Sequence, residues 1–216
     1  MEQFSQSFET LVKTVGEVFD PQLNDFFEPG ETLKFQICAP AKPKGVLIYI
    51  SPKPGAKLPE AWVQVLAERD LLWVGAENSG NEVHVARRVG LALLGLGLAR
   101  ERGVDGRAIL SGFSGGGRVA SMMMPAYPHL FSGAVFICGA NPMFTATPEA
   151  IEILQQVPLV FLTGTGDFNL EDTQMAITTY QHAELPAHLM VVDGLGHALP
   201  EASDLDAALA IATTNI

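Results

Sequence analysis

The sequence is poor in cysteine, in positive charge and in long apolar runs. Its 216 residues include two cysteines, too few for a disulfide framework. Cys38 and Cys138 lie in or beside apolar runs, where a buried thiol is the expected state. Only 13 lysines and arginines face 24 acidic residues, for a formal charge of −11. This balance argues against a nucleic-acid partner, because phosphate binding needs clustered basic side chains.

The sequence shows no membrane-spanning segment and no intact signal peptide. The longest apolar stretch, residues 89–99, is far shorter than the ~20 residues that cross a bilayer. Glu2, Glu9 and Lys13 interrupt the apolar residues of the N-terminus, so the apolar core of a signal peptide is missing. We therefore expect a soluble protein, and the cysteine usage favours a cytoplasmic location.

Apolar runs rich in β-branched residues alternate with helical patterns from about Leu33 onward. Several runs are apolar at every position, as parallel strands covered on both faces should be. The alternation predicts an α/β fold with a three-layer, doubly wound, mostly parallel sheet. The predicted strands are residues 33–38, 46–50, 71–75, 108–112, 134–138, 159–163 and 188–192, and the predicted helices are residues 58–68, 82–102, 115–127, 148–155, 170–183 and 202–213.

The chain has the size of one domain and shows no linker, repeat or low-complexity segment. Residues 31–216 are predicted to form a single α/β domain, with connections too short for a large cap. Residues 1–30 are predicted to form an amphipathic helix and a loop that pack against the sheet edge. The helical spacing involves six apolar residues, Phe8, Leu11, Val12, Val15, Val18 and Phe19.

A glycine-flanked serine, Ser114, lies where a predicted strand meets a predicted helix, in the segment Gly112-Phe113-Ser114-Gly115-Gly116. A serine on such a sharp turn takes strained dihedrals that project Oγ away from the sheet, and the glycines remove Cβ atoms that would collide. The helix that follows directs its N-terminal N–H groups, including that of Gly115, at a developing oxyanion. Ser114 is therefore the predicted nucleophile.

Other glycine-rich loops fit this segment less well. A phosphate-binding P-loop needs Lys-Ser or Lys-Thr after the glycines, whereas Gly117 is followed by Arg118 and Val119. A dinucleotide-binding G-x-G-x-x-G motif would need glycine at the position of Ser114. A turn with an incidental serine is the plain structural alternative.

Asp167 and His197 are the predicted partners of the serine. An acid at the carboxyl end of a late strand can orient a histidine and stabilise its cation. Capping of the helix predicted from Leu170 is the alternative role, and Asp167 is favoured as the acid because it directly follows the strand. Glu171 and Asp172 also suit the first turn of that helix. His197 follows the last predicted strand in a glycine-flanked loop, a context that the other four histidines lack. Asp193 is the rival acid.

The order Ser114, Asp167, His197 is that of α/β-hydrolases, and the chain from about Leu33 to its C-terminus resembles a small member of that superfamily. Residues 111–120, with Tyr127, Pro128 and Phe131 after them, are most similar to the branch of polyhydroxyalkanoate depolymerases, feruloyl esterases and dienelactone hydrolases. The resemblance implies a serine esterase that acts on a small-molecule ester through an acyl-enzyme. A thioesterase or other acyl hydrolase, or a catalytically silent binding protein, is the alternative.

The oxyanion hole departs from the family pattern. Family members often carry His-Gly after the strand equivalent to residues 46–50, but here the strand runs into Ser51-Pro52-Lys53-Pro54-Gly55. Proline has no N–H, so Ser51, Lys53 and Gly55 are the available donors, and Lys53 is the predicted second donor beside Gly115.

Three residues are predicted to contact substrate: Phe113, Asn78 and Ser51. Asn78 lies in a loop expected at the carboxyl edge of the sheet, where ligands of open α/β sheets bind, although turn chemistry explains it equally well. No cofactor or metal is expected, because no Cys/His cluster or H-E-x-x-H pattern is present. The sequence makes no prediction of the oligomeric state.

Overall fold

Strands and helices alternate along most of the chain in a computed structural model that describes residues 7–14, 21–142 and 145–214. The strands are β1 (Ser7–Thr14), β2 (Thr32–Ala39), β3 (Gly45–Ile50), β4 (Leu71–Ala76), β5 (Arg107–Phe113), β6 (Gly133–Ile137), β7 (Leu159–Gly166) and β8 (Ala187–Gly196). The α-helices are α1 (Glu60–Glu68), α2 (Val85–Glu101), α3 (Gly115–Ala126), α4 (Pro148–Leu154), α5 (Leu170–His182) and α6 (Ala202–Ala212). Short 3₁₀ helices cover Pro21–Phe26 and Pro128–Leu130.

The first of two compact units comprises residues 1–107. Its strands lie in the order β1-β2-β4-β3. β3 and β4 are parallel, whereas β2 is antiparallel to both β4 and β1. Helix α1 packs on β4, and α2 packs on β3 and β4.

The second unit comprises residues 108–216 and is built on four parallel strands in the order β5-β6-β7-β8. Helix α3 packs on β6, α6 on β6 and β7, and α5 on β7 and β8. Because the strands are parallel, their carboxyl ends meet at one edge of the sheet. Ser114, Asp167 and His197 directly follow β5, β7 and β8 at that edge.

Buried apolar strands form the core of each unit. β3, β4 and β6 are buried at every position, as strands covered by helices on both faces should be. In the second unit Phe161 contacts the rings of Phe136 and Tyr180 edge-on, with centroid distances of 5.0 and 5.1 Å. These contacts pack β6, β7 and α5 against one another in the core.

The predicted α/β fold without a large cap is confirmed. Each of the seven predicted strands and six predicted helices is present, most with bounds within three residues of the prediction. The largest difference is at β8, which continues four residues past the predicted end, to Gly196. Both cysteines are buried and neither forms a disulfide, as predicted. Among the described residues, no helix has the length and apolar character that crossing a membrane requires.

The predicted N-terminal helix is wrong where the structure describes it. Residues Ser7–Thr14 form β1, which pairs antiparallel with β2 over eight residues, from Ser7 opposite Ala39 to Thr14 opposite Thr32. The segment also fits a period of two, with β-branched residues at alternate positions. Pairing with β2 gives hydrogen-bond partners to the backbone N–H and C=O groups along the edge of β2, which a helix at this place would leave unpaired. Val15, Val18 and Phe19, which completed the helical pattern, lie outside the described residues.

Candidate active site

Ser114 occupies a strained turn between β5 and α3. Its dihedrals are φ 55° and ψ −121°, in a region that residues with a Cβ rarely adopt. Such a conformation costs about 1–3 kcal/mol and persists only where the surrounding structure imposes it. Here the Ser114 N–H donates to the carbonyl of Ile137, at the end of β6, over 2.8 Å. The strained turn predicted from the glycine pattern is therefore present.

Close backbone packing around this turn explains its glycines. A Cβ on Gly112 would lie 2.4 Å from the carbonyl carbon of Gly116. On Gly117 it would lie 2.2 Å from the carbonyl oxygen of Gly139, and on Gly139 it would lie 2.4 Å from the carbonyl oxygen of Ser114. Three backbone segments thus meet at distances that no side chain fits, and their contact fixes the position of the serine.

The structure brings the three predicted residues into one hydrogen-bonded chain. Nε2 of His197 lies 2.9 Å from Oγ of Ser114, and Nδ1 lies 2.8 Å from Oδ1 of Asp167. A carboxylate only accepts hydrogen bonds, so Nδ1 carries the proton and Nε2 of the neutral ring accepts from the serine hydroxyl. This is the arrangement in which a histidine can act as general base toward a serine.

The Asp167 side chain is fully buried, and its two oxygens accept hydrogen bonds from fixed donors. The N–H of Asn169 donates to Oδ1 over 3.0 Å, and the hydroxyl of Thr163 donates to Oδ2 over 2.8 Å. Burial by itself raises the pKa of this carboxyl, but the hydrogen bonds outweigh it and hold the pKa below its usual range. Asp167 is therefore ionised at neutral pH beside the imidazole.

The lowered pKa of Asp167 predicts an acid-dependent part of the stability. A carboxyl whose pKa is lower in the folded state stabilises that state above its unfolded pKa of about 3.9, and this stabilisation disappears as the pH falls through the folded pKa. The difference in free energy of unfolding between the wild type and Asp167→Asn should therefore shrink below about pH 4. Urea unfolding of both proteins between pH 7 and pH 2.5 measures it. A difference that stays constant across this range would contradict the assigned pKa shift.

Asn169 and Thr163 are supporting residues that sequence reasoning missed. Besides its N–H contact with Asp167, Asn169 donates from Nδ2 to the carbonyl of Cys138 over 2.9 Å. Arg118 of α3 donates to Oδ2 of Asp172 over 2.6 Å and lies 3.4 Å from Oδ1 of Asn169. These bonds tie the loop after β7 to α3 and to the end of β6. The local Asp-x-Asn spacing was the available signal for Asn169.

The other acidic residues considered near the loop after β7 have partners other than His197. Asp193, the rival acid, is exposed and accepts from the hydroxyl of Thr165 at 3.3 Å. Asp172 pairs with Arg118. The capping alternative for Asp167 is also partly realised, because its Oδ1 accepts the N–H of Asn169 just before α5. The same carboxylate thus shapes the loop and contacts His197.

The thiol of Cys138 lies beside the acid but is not poised as a nucleophile. Its Sγ lies 3.4 Å from the carbonyl oxygen of Ala198, and burial, with a contribution from Asp167, raises its pKa to about 12. Within the described residues, Cys138, Asp167 and His197 form a group whose ligand atoms lie within 4.8 Å of one another. A metal ion there would have to break the hydrogen bond between His197 and Asp167.

Two aromatic rings flank the imidazole of His197. The ring of Phe113, predicted to contact substrate, has its centroid 5.0 Å from that of His197. The ring of Phe168, which the sequence did not single out, is closer, with a centroid distance of 4.0 Å and an interplanar angle of 31°. The histidine thus has apolar neighbours and is only 19% exposed.

Gly115 is the first residue of α3, directly after Ser114. The first N–H groups of a helix have no acceptor within the helix and carry the positive end of its dipole. The Gly115 N–H is therefore placed as the predicted oxyanion donor requires, and its role remains a prediction.

The other predicted oxyanion and substrate residues lie in the first unit, in a tightly bonded pair of loops. The N–H of Lys53 donates to Oγ of Ser51 over 3.0 Å, and that hydroxyl donates to the carbonyl of Gly55 over 2.8 Å. Asn78 has φ 55° and donates its N–H to Pro54, which is the turn role considered for it. The Lys53 N–H thus already has a partner, and its role as an oxyanion donor stays a prediction.

A buried arginine supports the first of these loops. Arg88 of α2 is 4% exposed and donates from Nη2 to the carbonyl of Ser51 over 2.9 Å. A buried guanidinium that loses its acceptor is costly, so this bond holds the start of the loop in place. Sequence reasoning missed Arg88, which looks like any charge on an amphipathic helix.

Comparison with known proteins places the fold. No protein-family model matches the chain, and no curated protein matches its sequence. Many solved structures match its fold. One is a ferulic acid esterase, with a TM-score of 0.67 and 15% identity over 99% of this chain and all of that one. Another is the S-formylglutathione hydrolase FrmB of Staphylococcus aureus, with a TM-score of 0.67 and 13% identity over 97% and 95% of the two chains. Est1E of Butyrivibrio proteoclasticus has a TM-score of 0.64 and 12% identity over 88% and 95%.

The fold class follows from these matches and from the strand order. The chain has the α/β-hydrolase fold, over nearly its whole length and over nearly the whole length of these three structures. The full coverage also agrees with the lack of a large cap. Identities of 12–15% establish the fold and leave the activity to be argued from the site.

Proposed function

We propose that this protein is a serine hydrolase that cleaves carboxylic esters through an acyl-enzyme. The observation that carries the proposal is the continuous contact from Asp167 through His197 to Ser114, at 2.8 and 2.9 Å, with the serine in a strained turn at the head of α3. The serine supplies a hydroxyl nucleophile, the histidine a base within hydrogen-bond reach of it, and the aspartate a carboxylate that orients the histidine. Two of the structural neighbours, named as a ferulic acid esterase and an S-formylglutathione hydrolase, support the same reaction class.

The proposed reaction has two steps. Nε2 of His197 takes the proton of the Ser114 hydroxyl as Oγ attacks the ester carbonyl, and the resulting oxyanion lies at the Gly115 N–H. The tetrahedral intermediate collapses, the C–O bond of the ester breaks, and His197 returns the proton to the departing alcohol. Water, activated by the same histidine, then releases the acid from Ser114. Asp167 holds the tautomer of the ring and stabilises its cation in both steps.

Replacing Ser114 by alanine tests the proposal directly. Turnover of p-nitrophenyl acetate should fall about 10⁴-fold or more, because a methyl group cannot attack the carbonyl. The variant should also lose labelling by a fluorophosphonate probe. Ser132→Ala is the matched control: its hydroxyl bonds the carbonyl of Ala108 at 3.3 Å, so the variant should keep wild-type activity. Labelling of Ser114→Ala at the wild-type rate would refute the nucleophile.

Thioester hydrolysis is the second candidate, because one structural neighbour is named for S-formylglutathione, a thioester. The same nucleophile would attack either carbonyl, so the leaving atom decides. Rates on phenyl acetate and on its thio analogue separate the two activities. A protein that the probe does not label at all would instead be a silent α/β-hydrolase fold used for binding.

A further inference from the structure

Phe168 is an exposed aromatic residue directly beside the proposed general base. The residue is 76% exposed, more than any other large apolar residue in the part of the chain that the structure describes. The ring centroid lies 4.0 Å from that of His197, with an interplanar angle of 31°. An aromatic ring this exposed gains little from burial, so packing in the core does not explain its position.

Backbone hydrogen bonds hold Phe168 in this exposed place. The N–H of Asp167 donates to the carbonyl of Gly164 over 3.1 Å, and the N–H of Leu170 donates to the carbonyl of Asp167 over 3.0 Å. The N–H of Asn169 is bound to the Asp167 carboxylate. Residue 168 thus sits at the tip of a turn that is bonded on both sides. The turn that places the acid against His197 also places the phenyl ring.

The location of the leaving group follows from the proposed reaction, on which this inference rests. To return the proton, Nε2 of His197 must come within hydrogen-bond reach of the departing oxygen. The alcohol part of the ester therefore lies next to the imidazole. Among the described residues, the exposed ring of Phe168 contacts that imidazole, with a centroid distance of 4.0 Å. The acyl part lies on the other side of the carbonyl carbon, away from this contact.

We propose that Phe168 is a specificity-determining residue that contacts the alcohol moiety of the substrate and favours esters of flat, apolar alcohols. A flat aromatic alcohol stacks on a phenyl ring with ring-to-ring contact that a saturated ring of the same size does not match. Bond making and breaking are those of the two-step reaction, and Phe168 takes no part in proton transfer. Its effect is confined to the acylation step, since the alcohol has left before deacylation.

Benzyl acetate and cyclohexylmethyl acetate form the matched pair of substrates that tests this. They have primary alcohols of similar size and yield the same acetyl-enzyme. The ratio of their kcat/KM values, compared between the wild type and a Phe168 variant, reports the contact with the alcohol, because the intrinsic difference in reactivity between the two esters cancels. The ratio of benzyl to cyclohexylmethyl acetate should be about 3–10-fold higher in the wild type than in Phe168→Ala. Phe168→Trp should keep the wild-type ratio. Met175→Ala, which removes another exposed apolar side chain (61% exposed), should leave the ratio unchanged.

The outcomes separate this proposal from the proposed function. A ratio that is the same in Phe168→Ala as in the wild type overturns the leaving-group contact. An equal loss on both esters in Phe168→Ala also overturns it and assigns Phe168 to positioning His197. The proposed function stands in all these cases if Ser114 still reacts with the fluorophosphonate probe and p-nitrophenyl acetate is hydrolysed. Absence of both overturns the function together with this inference.

Discussion

Replacing Asp167 by asparagine is expected to lower kcat for p-nitrophenyl acetate about 10³- to 10⁴-fold. Oδ1 accepts the fixed N–H of Asn169, so the amide oxygen of the variant should take that place, while the Thr163 hydroxyl can turn to accept from the new NH₂ group. The contact with Nδ1 of His197 would survive, but the negative charge that stabilises the imidazolium in the transition state would be gone. The main loss should therefore appear in kcat rather than in KM.

Asp193→Asn is the matched control for this variant. Asp193 is the neighbouring acid that the sequence offered as a rival; it is exposed and bonded to Thr165 rather than to His197. Its replacement should leave kcat within about twofold, since exposed polar contacts of this kind contribute little. A large loss in Asp193→Asn combined with a small one in Asp167→Asn would reverse the assignment of the acid.

Replacing Gly139 by alanine is expected to lower both the free energy of unfolding and kcat. The added Cβ would lie 2.4 Å from the carbonyl oxygen of Ser114 and 3.0 Å from its Cα, so the backbone of the strained turn must move. Forcing an extra methyl group into such packing costs about 1–3 kcal/mol. A shift of about 1 Å in the nucleophile costs about 10²-fold in rate. Urea unfolding and kcat on p-nitrophenyl acetate measure the two effects.

Gly97→Ala is the control for the glycine prediction. Gly97 lies inside α2, and a Cβ there would meet nothing within 4 Å. Alanine should therefore stabilise the helix by about 0.5–1 kcal/mol and leave kcat unchanged. If Gly139→Ala has the stability and kcat of Gly97→Ala, the prediction that a Cβ at residue 139 displaces the Ser114 turn is wrong.

The strands and the three candidate catalytic residues were predictable because their signals are local. β3, β4 and β6 are apolar at every position, which is the pattern of a covered parallel strand. Ser114 lies in a five-residue glycine pattern, and Asp167 and His197 follow strands that the pattern had already located. The helix predicted for the N-terminal segment was wrong for the same reason, because its local signal was ambiguous. Its apolar residues fit a helical period and its β-branched residues Thr10, Val12 and Thr14 fit a strand period, and pairing with β2 decided between them.

The supporting residues were beyond local reasoning. Thr163, Asn169 and Cys138 reach Asp167 or its loop through contacts that depend on how neighbouring strands and loops meet. Lys53 is an example of a donor that was predicted from residue type. Because proline lacks an N–H, Lys53 was the preferred oxyanion donor, but the folded loop shows that its N–H already donates to Oγ of Ser51. Donors and acceptors of this kind are assigned by geometry, not by residue type.

The chain's alternating apolar runs and its Gly-x-Ser-x-Gly turn were enough to specify an α/β fold with a nucleophile at a strand–helix junction, because periodicity and turn chemistry act over a few residues. The contacts between remote residues were set by tertiary packing. It brought Ser114 to His197 across 83 positions of sequence and His197 to Asp167 across 30. It also lowered the pKa of the buried acid and set Phe168 against the imidazole. Distances, burial and hydrogen-bond partners between remote residues arise only when strands align their ends, so no local pattern records them.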